Sequence, residues 1–561
     1  MLVPVLVLLV VCGPAVDPMA GAFAEGLDTL AAGPRSPVSL DPTASATWPG
    51  EAAEDFYGFS VSDAGDINGD GYADVIVGAF GYASNTGRAY VYHGTASGLE
   101  AAPATTLTGE EAESLFGAKV SSAGDVNGDG YGDVLVGASA YGTGDIEAIG
   151  RAYVYLGSAA GLLGTPATTL TGEEMADQLG SAVAGVGDIN GDGYDDIVVA
   201  APYRSTYRGT VYVHHGSAAG ISATPALTLD GDLYTEVFGY AVSGAGDVDA
   251  DGYDDVLVGV WAHDSYAGRT DVFHGSPTGL SPTATLQLTG EAEYDRFGAA
   301  LSGAGDIDGD GFDDIVVGAP YALTNTGKVY VYAGSAGGIS SSAALILTGE
   351  APEDYYGFAI SGAGDIDADG YADVLVGAPA SSGSGVGRAW LHTGSAAGLS
   401  PTPETTLTGG SADDAYGYSV SGAGDVNGDG LDDVIVGAPN QAGLTGRAYV
   451  YEAEGDADTD TDTDTDTDTD TDTDTDTDTD TDTDTDTDTD TDTDTDTDTD
   501  TDTDTDTDTD TDTDTDTDTD DTGVPKDDAT GCGCATGDGA QAGWIVALLA
   551  LVGIRRGRQR A

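Results

Sequence analysis

Cysteine and basic residues are scarce in this sequence. Its three cysteines, Cys12, Cys532 and Cys534, lie near the ends of the 561 residues, so no disulfide framework can hold the body of the chain together. Only 16 Lys and Arg residues accompany 98 Asp and Glu residues, for a net charge of −82. Because binding through phosphates needs clustered basic residues, this composition excludes a nucleic-acid partner. It also disfavours attraction to an anionic lipid surface.

Long hydrophobic runs are missing as well. The apolar run at the start, LVPVLVLLVV over residues 2–11, is too short to span a bilayer comfortably. Small and turn-forming residues follow it, so we expect residues 1–22 to be a secretory signal peptide, although the usual basic segment is missing. Residues 23–44 are expected to be a linker. The protein is therefore expected to be exported to the cell surface or the outer membrane.

The end of the chain has the order glycine-cysteine, apolar segment, arginine cluster. Cys532 and Cys534 precede an apolar stretch at 544–554, and four arginines follow it. Arginines after an apolar segment fit the positive-inside rule, so we expect residues 531–561 to form a short hydrophobic helix that anchors the protein to a membrane. The order resembles the C-terminal sorting tails of myxobacterial surface proteins. That resemblance implies that a cysteine is the point of processing and attachment, with release by processing as one outcome and a plain weak tail anchor as the alternative.

The most acidic segment is a Thr-Asp alternation that runs without interruption from Asp458 to Asp520. Together with Asp521 it holds 33 of the carboxylates. A like-charged tract with no apolar residue cannot bury enough surface to offset the entropy of the chain. We therefore expect residues 456–530 to be a disordered, extended acidic linker or stalk. A low-affinity calcium sponge and a stalk glycosylated on threonine are the alternatives.

The body of the chain repeats one unit seven times. The run that begins at Gly65, GDINGDGYAD, recurs with small changes, at intervals of 59 to 63 residues. An aromatic residue or leucine followed by glycine precedes each copy, and an aliphatic run that often ends in Gly-Ala-Pro follows it. A Gly-Arg/Lys step, an alternating segment such as 89–92 and a short segment such as 106–109 complete the unit.

Each unit therefore contains four short β-strands separated by glycine-rich turns, and no stretch has the periodicity of a helix. Four-stranded units repeated seven times are typical of a β-propeller. The seventh unit ends at Tyr451 without a fourth strand, whereas a copy of that strand, residues 47–50, precedes the first unit. The sequence thus predicts an all-β, seven-bladed β-propeller over residues 45–455, in which the N-terminal strand completes the last blade.

Each unit also contains an oxygen-rich loop of the form D-x-[DN]-x-D-G-x-x-D. The loop offers side-chain oxygens at positions 1, 3, 5 and 9 and a backbone carbonyl at position 7. Hard oxygen ligands at alternate positions, with a glycine for the sharp turn, suit calcium better than magnesium. We therefore predict about seven calcium ions, one for each loop. The candidate ligands, loop by loop, are Asp66, Asn68, Asp70, Tyr72 and Asp74; Asp125, Asn127, Asp129, Tyr131 and Asp133; Asp188, Asn190, Asp192, Tyr194 and Asp196; Asp247, Asp249, Asp251, Tyr253 and Asp255; Asp306, Asp308, Asp310, Phe312 and Asp314; Asp365, Asp367, Asp369, Tyr371 and Asp373; and Asp425, Asn427, Asp429, Leu431 and Asp433.

Two other interpretations of these loops are disfavoured. An EF-hand needs a glutamate at position 12, but all seven copies have valine there, from Val77 to Val436. Aspartates that only cap turns are the second alternative. Four acidic or amide side chains in one tight loop would repel one another without a cation, so the calcium interpretation is favoured.

The aromatic-glycine pair, the calcium loop and Gly-Ala-Pro together resemble the FG-GAP repeats of the integrin alpha-subunit β-propeller. The resemblance covers residues 45–455 and implies structural calcium. The sequence departs from integrins in two respects. Every unit carries the loop, whereas integrins usually carry it in only some blades, and there is no inserted metal-binding adhesion domain. Integrin ligand chemistry is therefore not transferred to this chain.

The loops opposite the calcium loops combine aromatic side chains, such as Tyr82, Tyr266 and Trp261, with acidic segments. Such surfaces suit a saccharide or a basic patch of a protein. We expect a non-catalytic, calcium-binding recognition or adhesion module that meets a surface protein or glycan and contacts the membrane through its C-terminal anchor. A surface scaffold with no specific ligand is the alternative. A hydrolase is least favoured: FG-GAP repeats also accompany an anchor-cleaving phospholipase, but these repeats contain no nucleophile elbow and no HExxH motif.

Overall fold

The computed structural model describes residues 39–142, 148–380 and 385–454. The signal peptide, most of the 23–44 linker, the acidic tract and the C-terminal segment with Cys532 and Cys534 lie outside the described residues, and their predictions stay predictions. Within the described ranges no helix is both long enough and apolar enough to cross a membrane.

Seven antiparallel sheets of four strands each make up the described chain. Two strands precede the first blade, β1 (Ser39–Leu40) and β2 (Ala46–Pro49). The strands of blades 1 to 4 are β3 (Ser60–Gly65), β4 (Asp74–Ala79), β5 (Arg88–Tyr92), β6 (Thr105–Thr108); β7 (Phe116–Gly124), β8 (Asp133–Ala138), β9 (Arg151–Tyr155), β10 (Thr168–Thr171); β11 (Ala182–Gly187), β12 (Asp196–Ala201), β13 (Thr210–His214), β14 (Leu227–Asp230); and β15 (Phe238–Gly246), β16 (Asp255–Val260), β17 (Arg269–Phe273), β18 (Leu286–Thr289). The strands that follow are β19 (Ala300–Gly305), β20 (Asp314–Ala319), β21 (Lys328–Tyr332), β22 (Leu345–Thr348) in blade 5; β23 (Ala359–Gly364), β24 (Asp373–Ala378), β25 (Val386–His392), β26 (Thr405–Ala412) in blade 6; and β27 (Ser419–Gly424), β28 (Asp433–Ala438), β29 (Arg447–Tyr451) in blade 7, followed by β30 (Ala453–Glu454).

The ring closes through the N-terminal strand, as the sequence predicts. Blade 7 has the strand order β2-β29-β28-β27, with Thr47 opposite Tyr449 and Trp48 opposite Ala448. The innermost strands of neighbouring blades contact one another around the whole ring, including β27 with β3. The chain is therefore a seven-bladed β-propeller. In addition, β1 pairs with β30, so the last residues of the predicted 23–44 linker are part of the propeller, with Leu40 in its core.

The core consists of seven apolar clusters, each of which joins two neighbouring blades. The second strand of every blade is buried along its full length, as in β4. In that strand Ile76 packs against blade 2, whereas Val75 and Val77 pack against blade 7. A strand that is buried on both faces needs a continuous apolar run, which explains the aliphatic run of every repeat.

Five of the connections between second and third strands wind into four-residue helical turns: α1 (Tyr82–Asn85), α2 (Arg204–Tyr207), α3 (His263–Tyr266), α4 (Ala322–Asn325) and α5 (Gln441–Leu444). Their central residues have left-handed backbone angles. In α1, for example, Ala83 and Ser84 have φ values of 50° and 62°. Residues other than glycine seldom adopt this conformation, and the sequence does not predict it.

The connections alternate between two faces of the propeller. The oxygen-rich loops, which join first and second strands, lie with the third-to-fourth connections; Ser158, for example, donates its N–H to the carbonyl of Ile67. We call this the loop face. On the other side, which we call the turn face, the fourth-to-first connections meet the second-to-third turns, and Leu115 donates its N–H to the carbonyl of Asn85.

Candidate metal centres

A register shift in the innermost strand leads into each oxygen-rich loop. In blade 1 the shift falls between Asp63 and Gly65, and Gly65 then pairs with Asp74. Gly65 has a φ of 66°, which glycine adopts without steric cost. A β-bulge bends its strand and redirects the residues that follow. Every innermost strand shows this shift just before its loop, so all seven loops start with the same geometry.

The first aspartate of the loop organises the turn. The Oδ1 atom of Asp66 accepts hydrogen bonds from the N–H groups of Gly69 at 2.6 Å and Asp70 at 3.1 Å, and its Oδ2 atom accepts one from Gly71 at 2.8 Å. The equivalent carboxylates of the other loops also accept bonds from the N–H groups of their own loops. The position-1 carboxylate therefore holds the loop in a closed shape around the position-3 and position-5 side chains.

The aspartate at position 9 begins the second strand and is buried in every loop. In blade 1, Asp74 Oδ2 accepts the N–H of Ile67 at 2.9 Å, and Asp74 Oδ1 accepts the N–H of Gly94 at 2.8 Å. The second bond ties the loop to the neighbouring third-to-fourth connection. Position 9 thus has a clear structural role in addition to its predicted role as a ligand.

Burial raises the pKa of these position-9 carboxyl groups. The pKa is raised to about 7 for Asp74, Asp133, Asp196, Asp255 and Asp373. It is raised to about 6 for Asp314 and to about 8 for Asp433. Backbone donors oppose the shift, and neighbouring carboxylates such as Asp70 and Asp66 add to it. A divalent cation among these groups would favour their charged forms.

Three loops bring carboxylate oxygens within 4.8 Å of one another, and all three carry aspartate at position 3. The groups are Asp247, Asp249 and Asp251 in blade 4; Asp306, Asp308 and Asp314 in blade 5; and Asp365, Asp367 and Asp373 in blade 6. Within two of them the buried Oδ1 atom of Asp249 or of Asp308 has no hydrogen-bond partner. A buried acceptor beside other carboxylates is costly unless a cation accompanies it, so this donor set fits a hard metal ion that prefers oxygen.

The four loops with asparagine at position 3 are arranged differently. Asn68 donates its Nδ2–H to Asp70 Oδ2 at 2.8 Å, and Asn127 and Asn427 donate in the same way to Asp129 and Asp429 at 3.0 Å. In blade 3, Asn190 instead donates to Asp196 Oδ2 at 3.2 Å. These side chains lie together as the sequence predicts, but the amide nitrogen rather than the amide oxygen faces the carboxylate.

Position 7 has a role that the sequence analysis missed. We predicted its backbone carbonyl as a ligand, and in five of the seven loops its side chain also packs on the glycine at position 4 of the preceding loop. A methyl group on Gly69 would lie 2.7 Å from the ring of Tyr131, and the same holds for Gly128 and Tyr194. The signal was present in the sequence, because six of the seven loops have an aromatic residue at position 7.

Position 8 also connects neighbouring loops. Its N–H donates to the carbonyl of the position-1 aspartate of the preceding loop in all seven cases, ending with Ala73 and Asp425. Where position 8 is aspartate, its carboxylate also accepts the N–H of that residue, as Asp195 does from Asp125 at 2.7 Å and Asp313 from Asp247 at 2.9 Å. The seven loops therefore form one continuous hydrogen-bonded ring on the loop face.

Comparison with protein families identifies the repeats. A family model described as FG-GAP repeat matches residues 179–214, 297–332, 356–392 and 416–451, and one described as FG-GAP-like repeat matches 66–136. Together with the seven blades and their acidic loops, these matches define the class of protein. The chain is a β-propeller of integrin-alpha-like FG-GAP repeats, as the resemblance predicted.

The particular proteins to which the chain is similar are integrin alpha subunits. It is 34% identical to integrin alpha-V of Gallus gallus over 252 residues, which cover 42% of this chain and 24% of that protein. It is 39% identical to integrin alpha-IIb of Mus musculus over 195 residues, 33% of this chain and 18% of that protein. The chain thus spans a quarter or less of the length of these relatives. A solved structure of the Dos1 propeller matches 73% of this chain and 77% of that one with 10% identity and a TM-score of 0.35, too weakly to inform function.

Proposed function

We propose that this protein is a calcium-binding recognition or adhesion module of the cell surface, that it is not an enzyme, and that an acidic stalk displays the propeller. The calcium part of the proposal is supported by the oxygen-only ligand sets and by the unpartnered carboxylate oxygens of Asp249 and Asp308. The surface part is supported by the similarity to integrin alpha subunits and by the export and anchor signals expected from the sequence.

The observation that carries the recognition function is a group of exposed apolar side chains in the turn-face connections of the central blades, which we call the turn-face patch. Its members are large hydrophobic side chains at the ends of blades 3 to 5: Met175, Tyr207, Leu233, Tyr234, Tyr266, Tyr294 and Leu323. Tyr294 is 62% exposed and stacks on Tyr266 with ring centroids 5.8 Å apart. Monomeric soluble proteins rarely expose such a patch unless it binds a partner.

Acidic side chains surround this patch and give it a polar rim. Asp232, Glu293 and Asp264 lie in the same connections as its aromatic residues and are exposed. One basic residue, Arg296, lies beside the patch with its guanidinium 4.4 Å from the Trp261 ring and 3.9 Å from the Tyr321 ring. Such an arrangement of rings and carboxylates favours a ligand with apolar and basic or hydroxyl groups.

Calcium binding is tested by thermal unfolding of the full chain with calcium and after chelation. We expect chelation to lower the melting temperature by several degrees, because an ion that binds only the folded state stabilises it. A chain in which Asp249, Asp308 and Asp367 are replaced by asparagine is expected to show a smaller shift. An unchanged melting curve after chelation of the wild-type chain would contradict the calcium part of the proposal.

Recognition is tested by screening the full chain against glycans and surface proteins with and without calcium. The Tyr294→Ser variant changes the patch, whereas Leu163→Ser changes a side chain that is 48% exposed in a loop-face connection. We expect the first substitution to weaken ligand capture and the second to leave it unchanged. If no ligand binds in either state, the surface scaffold without a specific ligand replaces the recognition module. Equal loss in both variants would assign the binding to another surface.

A further inference from the structure

One position of the third strand is filled by a ring in six of the seven blades. The position lies opposite the valine at loop position 12 and is occupied by Tyr90, Tyr153, Tyr212, Tyr330, Trp390 and Tyr449. In five blades this ring packs against the aromatic residue of the aromatic-glycine pair, with centroids 5.2 to 5.4 Å apart. The ring thereby fills the seam between two blades.

Blade 4 departs from this pattern. Asp271 is the residue opposite Val258, so Phe238 of the aromatic-glycine pair lacks its usual ring partner and has only Phe273 nearby, at 6.4 Å. A cavity of about 300 Å³ lies in the seam, lined by residues of β14, β15, β17 and β18, including Phe238, Phe273 and Asp271. That volume is at the lower end of the range for small-molecule sites.

An ion pair lies at the base of this seam cavity. Arg269 is 5% exposed and Asp271 is 2% exposed, and Arg269 Nη2 donates to Asp271 Oδ2 at 2.9 Å and to Asp232 Oδ2 at 3.2 Å. The second contact of the pair, between Arg269 Nε and Asp271 Oδ1, is 2.7 Å long. Its atoms are not aligned for a hydrogen bond, so one buried donor and one buried acceptor are left without a hydrogen-bond partner.

The equivalent basic residues of other blades are placed differently. Arg88, Arg151, Lys328 and Arg388 pair with an exposed glutamate of the preceding connection and remain partly exposed themselves. Only in blade 4, among the residues that the structure describes, does this side chain turn inward to meet an acidic residue of its own strand. The substitution of the ring by Asp271 thus creates both the space and its polar groups.

We propose that the seam cavity binds a saccharide unit. A hydroxyl group donates one hydrogen bond and accepts others, so neighbouring hydroxyls can donate to the carboxylates of Asp271 and Asp232 and accept from the guanidinium of Arg269. An ammonium group can only donate hydrogen bonds and would be repelled by the guanidinium of Arg269. A carboxylate would be repelled by Asp230, Asp232 and Asp271. The apolar walls at Phe238 and Phe273 suit the carbon-bound faces of a sugar ring.

This site deepens the proposed recognition function, because it assigns a ligand class to a second location, which shares Asp232 with the rim of the turn-face patch. The seam cavity opens between the outer strands of blades 3 and 4, where the exposed Thr228, Thr283 and Gln287 line it. Their side chains add further donors and acceptors at the rim. A saccharide chain that continues beyond the bound unit has access to solvent there.

The test is saturation-transfer NMR and calorimetry of the full chain with a panel of methyl glycosides of common hexoses, deoxyhexoses and N-acetylhexosamines. Ethylammonium serves as the cationic probe. The decisive variant is Asp271→Tyr, which restores the residue of the other repeats and fills the cavity. We expect at least one glycoside to bind the wild-type chain and to bind Asp271→Tyr about tenfold more weakly or not at all, because hydrogen bonds to charged groups are lost.

Two controls keep this test separate from folding and from the turn face. Asp271→Tyr removes one partner of a buried ion pair and leaves Arg269 with Asp232 alone, so a melting curve of this variant is recorded to establish that it is folded before its binding is compared. Tyr330→Phe, which removes a hydroxyl at the same position of blade 5, is expected to bind the glycoside unchanged. The proposal is overturned if no glycoside binds the wild-type chain, if Asp271→Tyr binds equally well, or if only ethylammonium competes. If the wild-type chain binds no glycoside but the turn face still captures its ligand, this site alone is rejected and the proposed function stands.

Discussion

The basic residue that follows a glycine near the start of the third strand shows what a single residue contributes to this fold. A Gly-Arg/Lys step occurs in six units, and five of the six basic residues form an ion pair. Arg88 pairs with Glu51 at 2.6 Å, and Lys328 pairs with Glu291 at the same distance. Arg88 also lies 3.6 Å above the ring of Tyr82. Arg447, in the blade completed by the N-terminal strand, instead donates to Thr47 Oγ1.

A half-buried carboxyl group that binds no calcium should give the fold a measurable pH dependence. Burial, reinforced by the nearby carboxylate of Asp432 and opposed by the N–H groups of Gly65 and Ala64, raises the pKa of Asp63 to about 6. The pKa in the folded state then exceeds the unfolded value of 3.8, so the stabilising effect of the proton is present at low pH and is lost as the pH rises through about 6. Asp63→Asn keeps the acceptor for the Gly65 N–H without the titration.

We expect the wild-type chain to lose about 1 to 3 kcal/mol relative to Asp63→Asn between pH 4 and pH 7. Chemical denaturation of both chains in a calcium-free buffer at several pH values measures this difference. Comparison of the two chains cancels the titration of the many other carboxylates. A difference in the free energy of unfolding that stays constant over this range would show that Asp63 titrates normally.

At the scale of the strand, a close contact between blades explains why glycine recurs at the fifth position of the second strand. A methyl group on Gly259 would lie 2.2 Å from the carbonyl oxygen of Gly298 in the next blade, and equivalent contacts occur at Gly78 and Gly137. Blade 3 has Ala200 at this position. The innermost strand of the next blade, β15, carries an extra register shift between Phe238 and Val242, and the methyl group of Ala200 lies close to Gly239 of that strand.

We therefore expect Gly259→Ala to destabilise the propeller by about 1 to 3 kcal/mol, because two backbones would have to move apart. Ala200→Gly is the matched control and is expected to cost no more than about 1 kcal/mol. Urea unfolding of the two variants measures both values. Equal effects would mean that the seams tolerate a methyl group everywhere and that the glycine is retained for another reason.

The strand that closes the ring gives a second prediction at this scale. Trp48 of β2 is buried and stacks on Tyr92 of blade 1, with ring centroids 4.2 Å apart. It therefore joins blade 7, which contains β2, to the first blade. We expect Trp48→Ala to reduce the free energy of unfolding by about 3 to 5 kcal/mol. The conservative Trp48→Phe variant should lose much less, and near-equal losses would contradict a role for ring packing in closure.

How far each element is predictable depends on where its partners lie in the sequence. The four strands per unit, the closing strand at Trp48 and the oxygen-rich loops with carboxylates such as Asp66 follow from local patterns and from repetition. The left-handed turn at Ala83 and Ser84 has no glycine to indicate it, because contacts with the next blade hold it in place. The cavity at Asp271 cannot be predicted from a single repeat, because it results from the absence of a ring between two blades. The ends of the chain remain predictions.

At the scale of the whole molecule, the seven loops behave as one ring rather than as separate sites. Each position-8 N–H bonds the preceding loop, and the bond from Ala73 to Asp425 closes the circle. The position-7 rings pack on the preceding loops as well. An ion that orders one loop also fixes the groups that hydrogen-bond to the next loop. The free energies of calcium binding at neighbouring loops should therefore be coupled.

The position-8 aspartates allow this coupling to be tested without changing a ligand. Asp313 belongs to the blade 5 loop, but its carboxylate accepts the N–H of Asp247 in the blade 4 loop at 2.9 Å. We expect Asp313→Ala to weaken calcium binding at the blade 4 loop by about threefold to tenfold, because a hydrogen bond to a charged group is lost. Glu100→Ala removes an equally negative, exposed side chain from the loop face and serves as the control for net charge.

Calcium binding by both full-length variants is measured by calorimetry. Because both variants carry the acidic tract, comparison of their isotherms cancels any weak calcium binding by that tract. Identical isotherms for the two variants would mean that the loops bind independently, and the hydrogen-bonded ring would then contribute to folding alone.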